Sequence, residues 1–542
     1  MVINPYKMRT MTNNKILKSM AALVFVGAMT AGCSSDDLTA ETPQPADAGK
    51  TVVMKITISL SESASTRALT EAGVKTFAMG DQIAVIYKNT AGETVKVESA
   101  ALLGTDLHDA GQNATFSVVL TNPEPSTAVR YIYPASMAAA AVATDVATND
   151  DATINYAALA TQDGTLATIA STLDLAVFDG TLTDQAALPP ATLENPLTIG
   201  KFTIKNSATD DDITSTVTNL TINDGTNTYT VHRTAAAGPI YVAIKPIAST
   251  QTVTVNAITD NNKYIKSVTG NTLAQNTMYP INVSMTARYP LAMANATQID
   301  MGCLIGQDGN IYMSAAGITA AGTGTTPVAV IAYVGTDNFT ENGTSVKAVG
   351  AASASVFAGH GLALCLKNAA SDIAWTTEEV LKFPGQEVTD AAGLTRSTNV
   401  SGYTNTKTLK DEATKYPAAA AAWNYTGLTA PNGTTGWFLP TAQQWVRMQT
   451  GLGGLSESDI VWDEAFDNTR TAVNKWETAL AKAGAAGTAY DSMTSNNLTY
   501  YSSSEYSNNL NVCLYIWDTF LWTWTNKEFN GYGNCVRPIL AF

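Results

Sequence analysis

Side chains that could carry catalysis are few and scattered in this sequence of 542 residues. Its three histidines stand far apart, outside any HExxH motif and without acidic neighbours at metal-ligand spacing: His108, His232 and His360. No GxSxG nucleophile elbow is present. The run Asp210-Asp211-Asp212 could touch a calcium ion, but a solvated turn before Ile213 is favoured. The sequence therefore predicts no enzyme, no metal site and no other cofactor, although a Ser/His/Asp arrangement assembled by folding stays open.

The first cysteine, Cys33, is placed for attachment of lipid. A basic segment precedes a short apolar run, which is typical of a secretory signal peptide and too short to cross a bilayer comfortably. The run ends in Thr30-Ala31-Gly32-Cys33, which resembles a bacterial lipobox except that Thr30 replaces the usual large aliphatic residue. Cleavage before Cys33 would free its amine and thiol for acylation. We expect residues 1–32 to be a lipoprotein signal peptide and residues 33–50 a tether to the outer membrane; plain secretion is the alternative.

The remaining four cysteines all lie in the second half of the chain: Cys303, Cys365, Cys513 and Cys535. None forms a CxxC pair, so a zinc site is not expected. Export permits disulfides, and we favour a bond between Cys513 and Cys535 because both fall in predicted strands that we take to be adjacent. The alternative is four buried thiols that behave as small hydrophobic side chains.

Aromatic residues crowd the end of the chain and could bind sugars. Flat C–H faces of sugars stack on aromatic rings while their hydroxyls bond to polar side chains, so the candidate ligand contacts are Trp517, Trp522, Trp524, Glu505 and Asn508. The alternative is that most of these rings fill the core of a compact β region. The EPN and QPD triplets of calcium-dependent sugar binding are absent from the sequence.

The elements that must position these residues are mainly strands. Residues 51–60 alternate strictly, with one apolar face made of Val52, Met54, Ile56, Ile58 and Leu60. Many short strand patterns separated by turn residues continue to about residue 287, and Asn223-Asp224-Gly225 is typical of a hairpin turn. The pattern indicates antiparallel sandwiches. A formal net charge of −15 argues against nucleic acid as a partner.

The last 250 or so residues mix helices with strands. Thr441 and Gln444 have the spacing of a capping box at the start of one helix, and a second helix is predicted from Glu464 to Lys482. Strand patterns return after residue 510. This part of the chain is therefore expected to form an α+β domain.

Two resemblances follow from these features. Residues 51–287 resemble the fimbrillin family, which comprises pilus subunits and accessory proteins of Bacteroides-type bacteria, in the first strand, Thr66-Arg67-Ala68, the segment 77–83 and the closing segment 276–283. Residues 299–542 resemble a C-type-lectin-like module found appended to such proteins. They carry that resemblance in residues 305–312, Gly436-Trp437-Phe438-Leu439-Pro440, Tyr501-Ser502-Ser503-Ser504-Glu505 and residues 536–542. The fold implied is mainly β: two tandem antiparallel, transthyretin-like β-sandwiches (51–140 and 141–287) followed by an α+β C-type-lectin-like domain (288–542).

The fimbrillin resemblance implies cleavage between Arg67 and Ala68. Arg67 is a lone basic residue among Ser, Thr and Ala, so a trypsin-like protease could reach it; an ordinary linker arginine is the alternative. Cleavage would free the first strand for exchange and leave unpaired backbone that a strand from a neighbouring subunit must cover. The partners implied are other pilus subunits, bound by donor-strand insertion.

We therefore expect a tip or accessory subunit of a surface pilus, or fimbrium, that serves as an adhesin. Its partner at the tip would be a glycan or a protein on a host or bacterial surface. The alternative is a monomeric, glycan-binding surface lipoprotein, and a third hypothesis is an enzyme acting on envelope polymers.

Overall fold

The computed structural model describes most of the chain beyond the tether. The ranges described are 51–60, 76–173, 175–183, 185, 187–339, 341, 343, 345–377, 399–460, 467–494, 498–507, 510–516, 522–526 and 534–542. Cys33, Arg67, Ala68, Asn508 and Trp517 lie outside these ranges. Within the described residues, no helix combines the length and apolar character needed to span a bilayer.

Strands dominate the described part of residues 51–287, and a short helix, α1 (Leu166–Thr172), accompanies them. In chain order the strands are β1 Thr51–Leu60, β2 Ala84–Lys88, β3 Thr94–Glu98, β4 Leu107–His108, β5 Asn113–Thr121, β6 Thr127–Tyr133, β7 Thr161–Gln162, β8 Ala176–Leu182, β9 Ala191–Leu193, β10 Thr198–Asn206, β11 Asn219–Asn223, β12 Thr228–His232, β13 Ile240–Ile244, β14 Thr252–Ile258, β15 Lys263–Thr269 and β16 Thr277–Ala287. The hairpin expected at Asn223-Asp224-Gly225 is confirmed, since β11 and β12 pair antiparallel on either side of it.

Two four-stranded sheets share the first buried core. Their strand orders are β4-β5-β1-β9 and β3-β2-β6-β8, and both contribute inward side chains to one hydrophobic cluster. We call these two sheets the first β unit. Along each strand, residues that face the core alternate with residues on the outer face. The shared core therefore explains the period-2 patterns of the sequence.

An eight-stranded sheet forms the second β unit. Its order is β13-β10-β16-β15-β14-β11-β12-β7, and its core also takes side chains from α1 and the residue that follows it. Strand β16 pairs parallel to β10 over nine residues. Most of the other pairings in this sheet are antiparallel.

The chain does not divide between these units at residue 141. After β6 it passes to β7 and α1 in the second β unit, then returns to add β8 and β9 to the sheets of the first. The Ala-rich segment that follows β6 runs beside β3: Lys96 Nζ donates to Ala139 O at 2.9 Å, and Thr94 N donates to Thr144 O at 3.1 Å. It therefore covers an edge strand of the first β unit.

The C-terminal unit, residues 291–542, is α+β as expected. Its strands are β17 Leu291–Ala292, β18 Leu304–Gly306, β19 Asn310–Tyr312, β20 Pro327–Val334, β21 Ser345–Val346, β22 Ser355–Val356, β23 Gly361–Cys365, β24 Ala370–Ser371, β25 Leu498–Ser507, β26 Leu510–Ile516, β27 Trp522–Asn526, β28 Asn534–Val536 and β29 Ile539–Ala541. Its helices are α2 Ala315–Ala321, α3 Gly402–Leu409, α4 Pro417–Trp423, α5 Ala442–Thr450 and α6 Asp467–Ala485. The predicted capping box is confirmed, because Thr441 and Gln444 close it at the start of α5.

Two sheets and the helices α5 and α6 enclose the core of the C-terminal unit. The sheets have the orders β17-β19-β18-β20-β23-β29 and β24-β28-β25-β26-β27. Trp445 and Met448 of α5 and Val473, Trp476 and Leu480 of α6 are buried in the shared cluster, at the spacing of one helical face.

A buried ion pair ties the C-terminal unit to the second β unit. Arg288 Nε donates to Asp300 Oδ1 at 2.6 Å, and the hydroxyl of Tyr289 donates to the same oxygen at 2.6 Å. Burial alone would raise the pKa of Asp300, but hydrogen bonds from Arg288, Tyr289 and Thr297 outweigh it and hold the pKa below its usual range. Asn262 completes the tie, since its side chain bonds to both the backbone N and O of Tyr289.

Candidate strand-exchange site

The groove occupied by β1 is the site at which assembly could act. β1 runs antiparallel to β5 from the pair Thr51↔Thr121 to the pair Ser59↔Asn113, and parallel to β9 from Ile58↔Ala191 onward. The strand therefore lies inside its sheet, between β5 and β9. Any replacement strand would have to follow the same direction to satisfy both neighbours.

The side chains of β1 alternate between core and solvent. Met54, Ile56 and Ile58 are each no more than 1% exposed, whereas Val53, on the opposite face, is 68% exposed. Val52 is half-buried against the same core, and Leu60 lies in the strand but its side chain is outside the described part. The inward set predicted from the sequence is thus confirmed for its three central members, while its exchange stays a prediction.

The outer face of β1 is mostly uncharged. Val53 faces Val119 of β5 directly across the ladder, and Val119 is 48% exposed. At the far end, the hydroxyls of Ser59 and Thr192 lie 3.2 Å apart. Most of the burial holding β1 lies on its inner side, at Met54, Ile56 and Ile58.

Phe77 anchors the chain after the connection that contains Arg67. Its ring packs edge-on against Phe116 and Tyr133, with centroids 5.3 Å and 5.0 Å away, and its backbone N donates to Gly111 O at 2.7 Å. Gly111 has φ +86, and a Cβ there would lie 2.6 Å from the carbonyl oxygen of Phe77. Only glycine fits this approach, so the pair fixes where the first β unit resumes after the connection that follows β1.

The motif that follows Phe77 forms a turn. Asp81 accepts from the backbone N of Ala78 at 2.9 Å and from the hydroxyl of Tyr133 at 2.6 Å, and Gly80 adopts φ +93. These residues carried the family resemblance in the sequence. In the structure they hold the chain against the first core and present no chemistry.

The candidate sugar contacts are only partly within the described residues. Trp522 and Trp524 lie in β27, with side chains outside the described part. Glu505 is fully buried in β25 opposite Asn511, so its assignment as a direct ligand contact on an exposed surface is not supported. All residues from Tyr500 to Glu505 are buried, so both faces of this part of β25 are covered, which local spacing does not reveal.

The segment that contains Glu505 packs against the start of α5. Ser503 N donates to Pro440 O at 2.7 Å, and Ala442 N donates to Ser504 Oγ at 3.0 Å. Trp375 Nε1 donates to Ser502 O at 2.9 Å. Its serines therefore satisfy buried backbone groups, which is a structural role.

The expected disulfide between Cys513 and Cys535 is not formed. Cys535 is a buried free thiol, and burial raises its pKa to about 11. Strand β25 lies between the two cysteines: its Tyr500 pairs with Cys535 and its Tyr501 with Cys513. Successive residues of a strand point to opposite faces, and two ladder spacings amount to roughly 9.5 Å, beyond the reach of a disulfide.

No three His, Cys, Asp or Glu side chains of the described ranges lie close enough together to hold a metal ion. The run Asp210-Asp211-Asp212 forms a turn in which Lys205 pairs with Asp210 at 3.2 Å and Asp212 accepts from the backbone N of Thr214 at 2.9 Å. These hydrogen bonds are those of a local turn.

Comparison with known proteins gives matches in structure alone. No protein-family model matches the sequence, and no curated protein matches it significantly. Similar solved structures include a fimbrial assembly protein from Parabacteroides distasonis, with 10% identity, a TM-score of 0.26, and coverage of 43% of this chain and 91% of that one. Proposed cell adhesion proteins from Bacteroides ovatus (14% identity, TM-score 0.23, 44% of this chain and 96% of that one) and Bacteroides uniformis (13%, 0.24, 43% and 97%) are also similar. Similarity at this level assigns the chain to no family.

Proposed function

We propose that this protein is a surface pilus subunit, at the tip or in an accessory position, that is assembled by exchange of β1 and serves as an adhesin. The observation that carries the proposal is the position of β1. It is the first strand of the described chain, it lies between β5 and β9, and the segment after it contains Arg67. A single cut there would disconnect a core strand from the rest of the chain.

The free energy gained by burying the side chains of β1 explains why a cut subunit would need a partner. Burial of Met54, Ile56 and Ile58 contributes about 1.5–3 kcal/mol each, or roughly 5–9 kcal/mol together. Whole domains are stable by only about 5–15 kcal/mol. Loss of β1 would also leave the ladder edge of β5 unpaired. The first β unit would therefore bind a strand that restores both the buried apolar contacts and the backbone pairing with β5.

The proposed position at the end of the pilus rests on the later strands of the chain, which cannot leave their sheets to be donated to another subunit. β16 pairs with β10 over nine residues and leads directly into the ion pair of Arg288 with Asp300. β29 is buried on both faces, since Ile539 and Leu540 belong to different core clusters. Release of either strand would open a core. The subunit would therefore accept a strand but not supply one.

The remaining parts of the proposal concern location and contact. Acylation at Cys33 would hold the exported precursor to the outer membrane, and cleavage at Arg67 would release the body of the protein into the fimbrium. The C-terminal unit would act as the binding head for a glycan or a surface protein. The proposal involves no catalysis by this chain.

The first test is substitution of the proposed cleavage site. In cells that assemble the pilus, Arg67→Ala is expected to keep the precursor uncleaved and out of the fimbrium, whereas the matched variant Lys75→Ala, in the same connection, is expected to mature normally. Immunogold labelling of the wild-type protein is expected at fibre ends. Normal cleavage and incorporation of Arg67→Ala, or labelling along the shaft, would contradict the proposal.

A second test separates cleavage from strand removal. Val53 and Val119 are exposed and directly opposite, and partners in an antiparallel ladder have Cα atoms about 4.5–5.5 Å apart, within disulfide range. The double variant Val53→Cys/Val119→Cys is therefore expected to be cut but to stay unassembled until reductant is added. Each single variant is the control. Assembly of the oxidised double variant at the wild-type level would show that β1 need not leave.

A further inference from the structure

A cleft of about 550 Å³ lies between the first and second β units, outside the groove of β1. One side is formed by Asp179 of β8 and by Thr192 and Glu194 at β9. The other side includes Lys245 and Gln275 of the second β unit. Its volume falls in the usual range of ligand pockets, about 300–1,000 Å³, and junctions between folding units are common places for them.

The backbone directs two carboxylates into this cleft. Val177 and Glu194 exchange both backbone hydrogen bonds at 2.8 Å, so their side chains lie on the same side of the ladder. Asp179 and Thr192 are each two residues away along their strands and share that side. Asp179 and Glu194 therefore both line the cleft.

Asp179 is fixed in orientation by Arg130. Arg130 Nε and Nη2 donate to its two carboxylate oxygens at 2.6 Å and 2.8 Å. Arg130 is itself buried and held by Thr153 Oγ1 at 2.8 Å. The side chain of Asp179 nonetheless stays 44% exposed, so its free lone pairs remain available to a ligand.

The charges of the cleft select the kind of ligand. Its two cations are already engaged, Arg130 by Asp179 and Lys245 by Asp151 at 2.6 Å. Among the described residues Glu194 has no cationic partner, so two cations and three carboxylates leave one net negative charge. An anionic ligand would be repelled, and this part of the chain shows no third ligand for a metal ion.

We propose that this cleft binds a neutral saccharide. Sugar hydroxyls both donate and accept, so they can bond to the oriented carboxylates of Asp179 and Glu194 and to the uncharged side chains of Thr192 and Gln275 without adding charge. Val177 and two prolines supply apolar surface for C–H faces. A basic peptide could form an ion pair only with Glu194, because the other carboxylates of the cleft are already paired with Arg130 and Lys245.

The cleft adjoins the strand-exchange site along β9, which carries Thr192 and pairs with β1 over three residues. A replacement strand in the groove of β1 would restore that pairing, and the other lining residues lie outside it. The saccharide site goes beyond the proposed assembly role, and it is tested separately in a chain that keeps β1.

The test uses the full, uncleaved precursor carrying Arg67→Ala, which keeps β1 in place. A glycan array with neutral, sialylated and sulfated oligosaccharides is expected to give neutral glycans as the main ligands. Titration of the best neutral glycan is expected to be at least about ten-fold weaker for Glu194→Gln and for Gln275→Ala, because each loses a hydrogen bond to the ligand. Glu98→Gln, which changes an exposed side chain at the end of β3, is the matched control and is expected to bind as the parent does.

Several results would overturn the inference. These are absence of binding to any neutral glycan, preference for sialylated or sulfated glycans, and unchanged affinity of both cleft variants. Displacement of the bound glycan by a lysine-rich peptide would indicate a peptide site instead. Failure of the strand-exchange tests with glycan binding intact would leave the saccharide site standing.

Discussion

Substitution of Ile58 by alanine gives a direct physical test of the strand-exchange scheme. Ile58 is fully buried, and its partners across both ladders are alanines, Ala114 of β5 and Ala191 of β9. Ile→Ala substitutions in cores cost about 2–5 kcal/mol, with the cost rising as the residual cavity grows. Because alanine neighbours have no side-chain reach to fill the gap, we expect a loss of about 4 kcal/mol in the free energy of unfolding.

The assay compares the same substitution in two states. Urea unfolding of Ile58→Ala in the uncleavable Arg67→Ala background is expected to show the full loss, while Val53→Ala, on the exposed face, changes stability by less than about 0.5 kcal/mol. In assembled fimbriae β1 has left, so Ile58→Ala is expected to change nothing. Phe116→Ala, on the neighbouring strand, is expected to weaken both states.

Equal destabilisation of the precursor and of the assembled form by Ile58→Ala would refute this reasoning, because it would show that residue 58 still occupies the core after assembly.

Three further expectations test other parts of the structure. Gly111→Ala is expected to cost about 1–3 kcal/mol more than Gly92→Ala, because both have positive φ but only the first places a Cβ against Phe77; comparison of their unfolding curves checks this. Asp300→Asn is expected to lower stability at neutral pH by about 3 kcal/mol. Because the folded pKa of Asp300 lies below its usual value, its stabilisation is present above about pH 4 and is lost as pH falls further, so the wild type should lose more stability on acidification than Asp300→Asn. Cys535 is expected to react fully with iodoacetamide in denaturant without reductant, and protection until reduction would show that it is disulfide-bonded.

Features set by neighbouring residues were predictable from the sequence. The alternation of residues 51–60 predicted the inward positions of Met54, Ile56 and Ile58, because a strand with one buried face needs an apolar residue at every second position. The spacing of Thr441 and Gln444 predicted the start of α5, because both partners of a capping box lie within one turn.

Features set by pairing between distant segments were not predictable. The return of the chain to add β8 and β9 to the first β unit depends on which strands pair, which their own sequences do not encode. The same holds for Cys513 and Cys535, whose separation is decided by the insertion of β25 between them. The cleft at Glu194 was missed for this reason too, since its residues come from six separate stretches of chain.

The N-terminus of the protein on the cell surface tests the central claim most directly. Intact mass measurement and N-terminal sequencing of the form purified from fimbriae are expected to give a chain that begins at Ala68, with residues 33–67 absent from the fibre. A chain that begins at acylated Cys33 and retains Thr51–Leu60 covalently would contradict strand exchange.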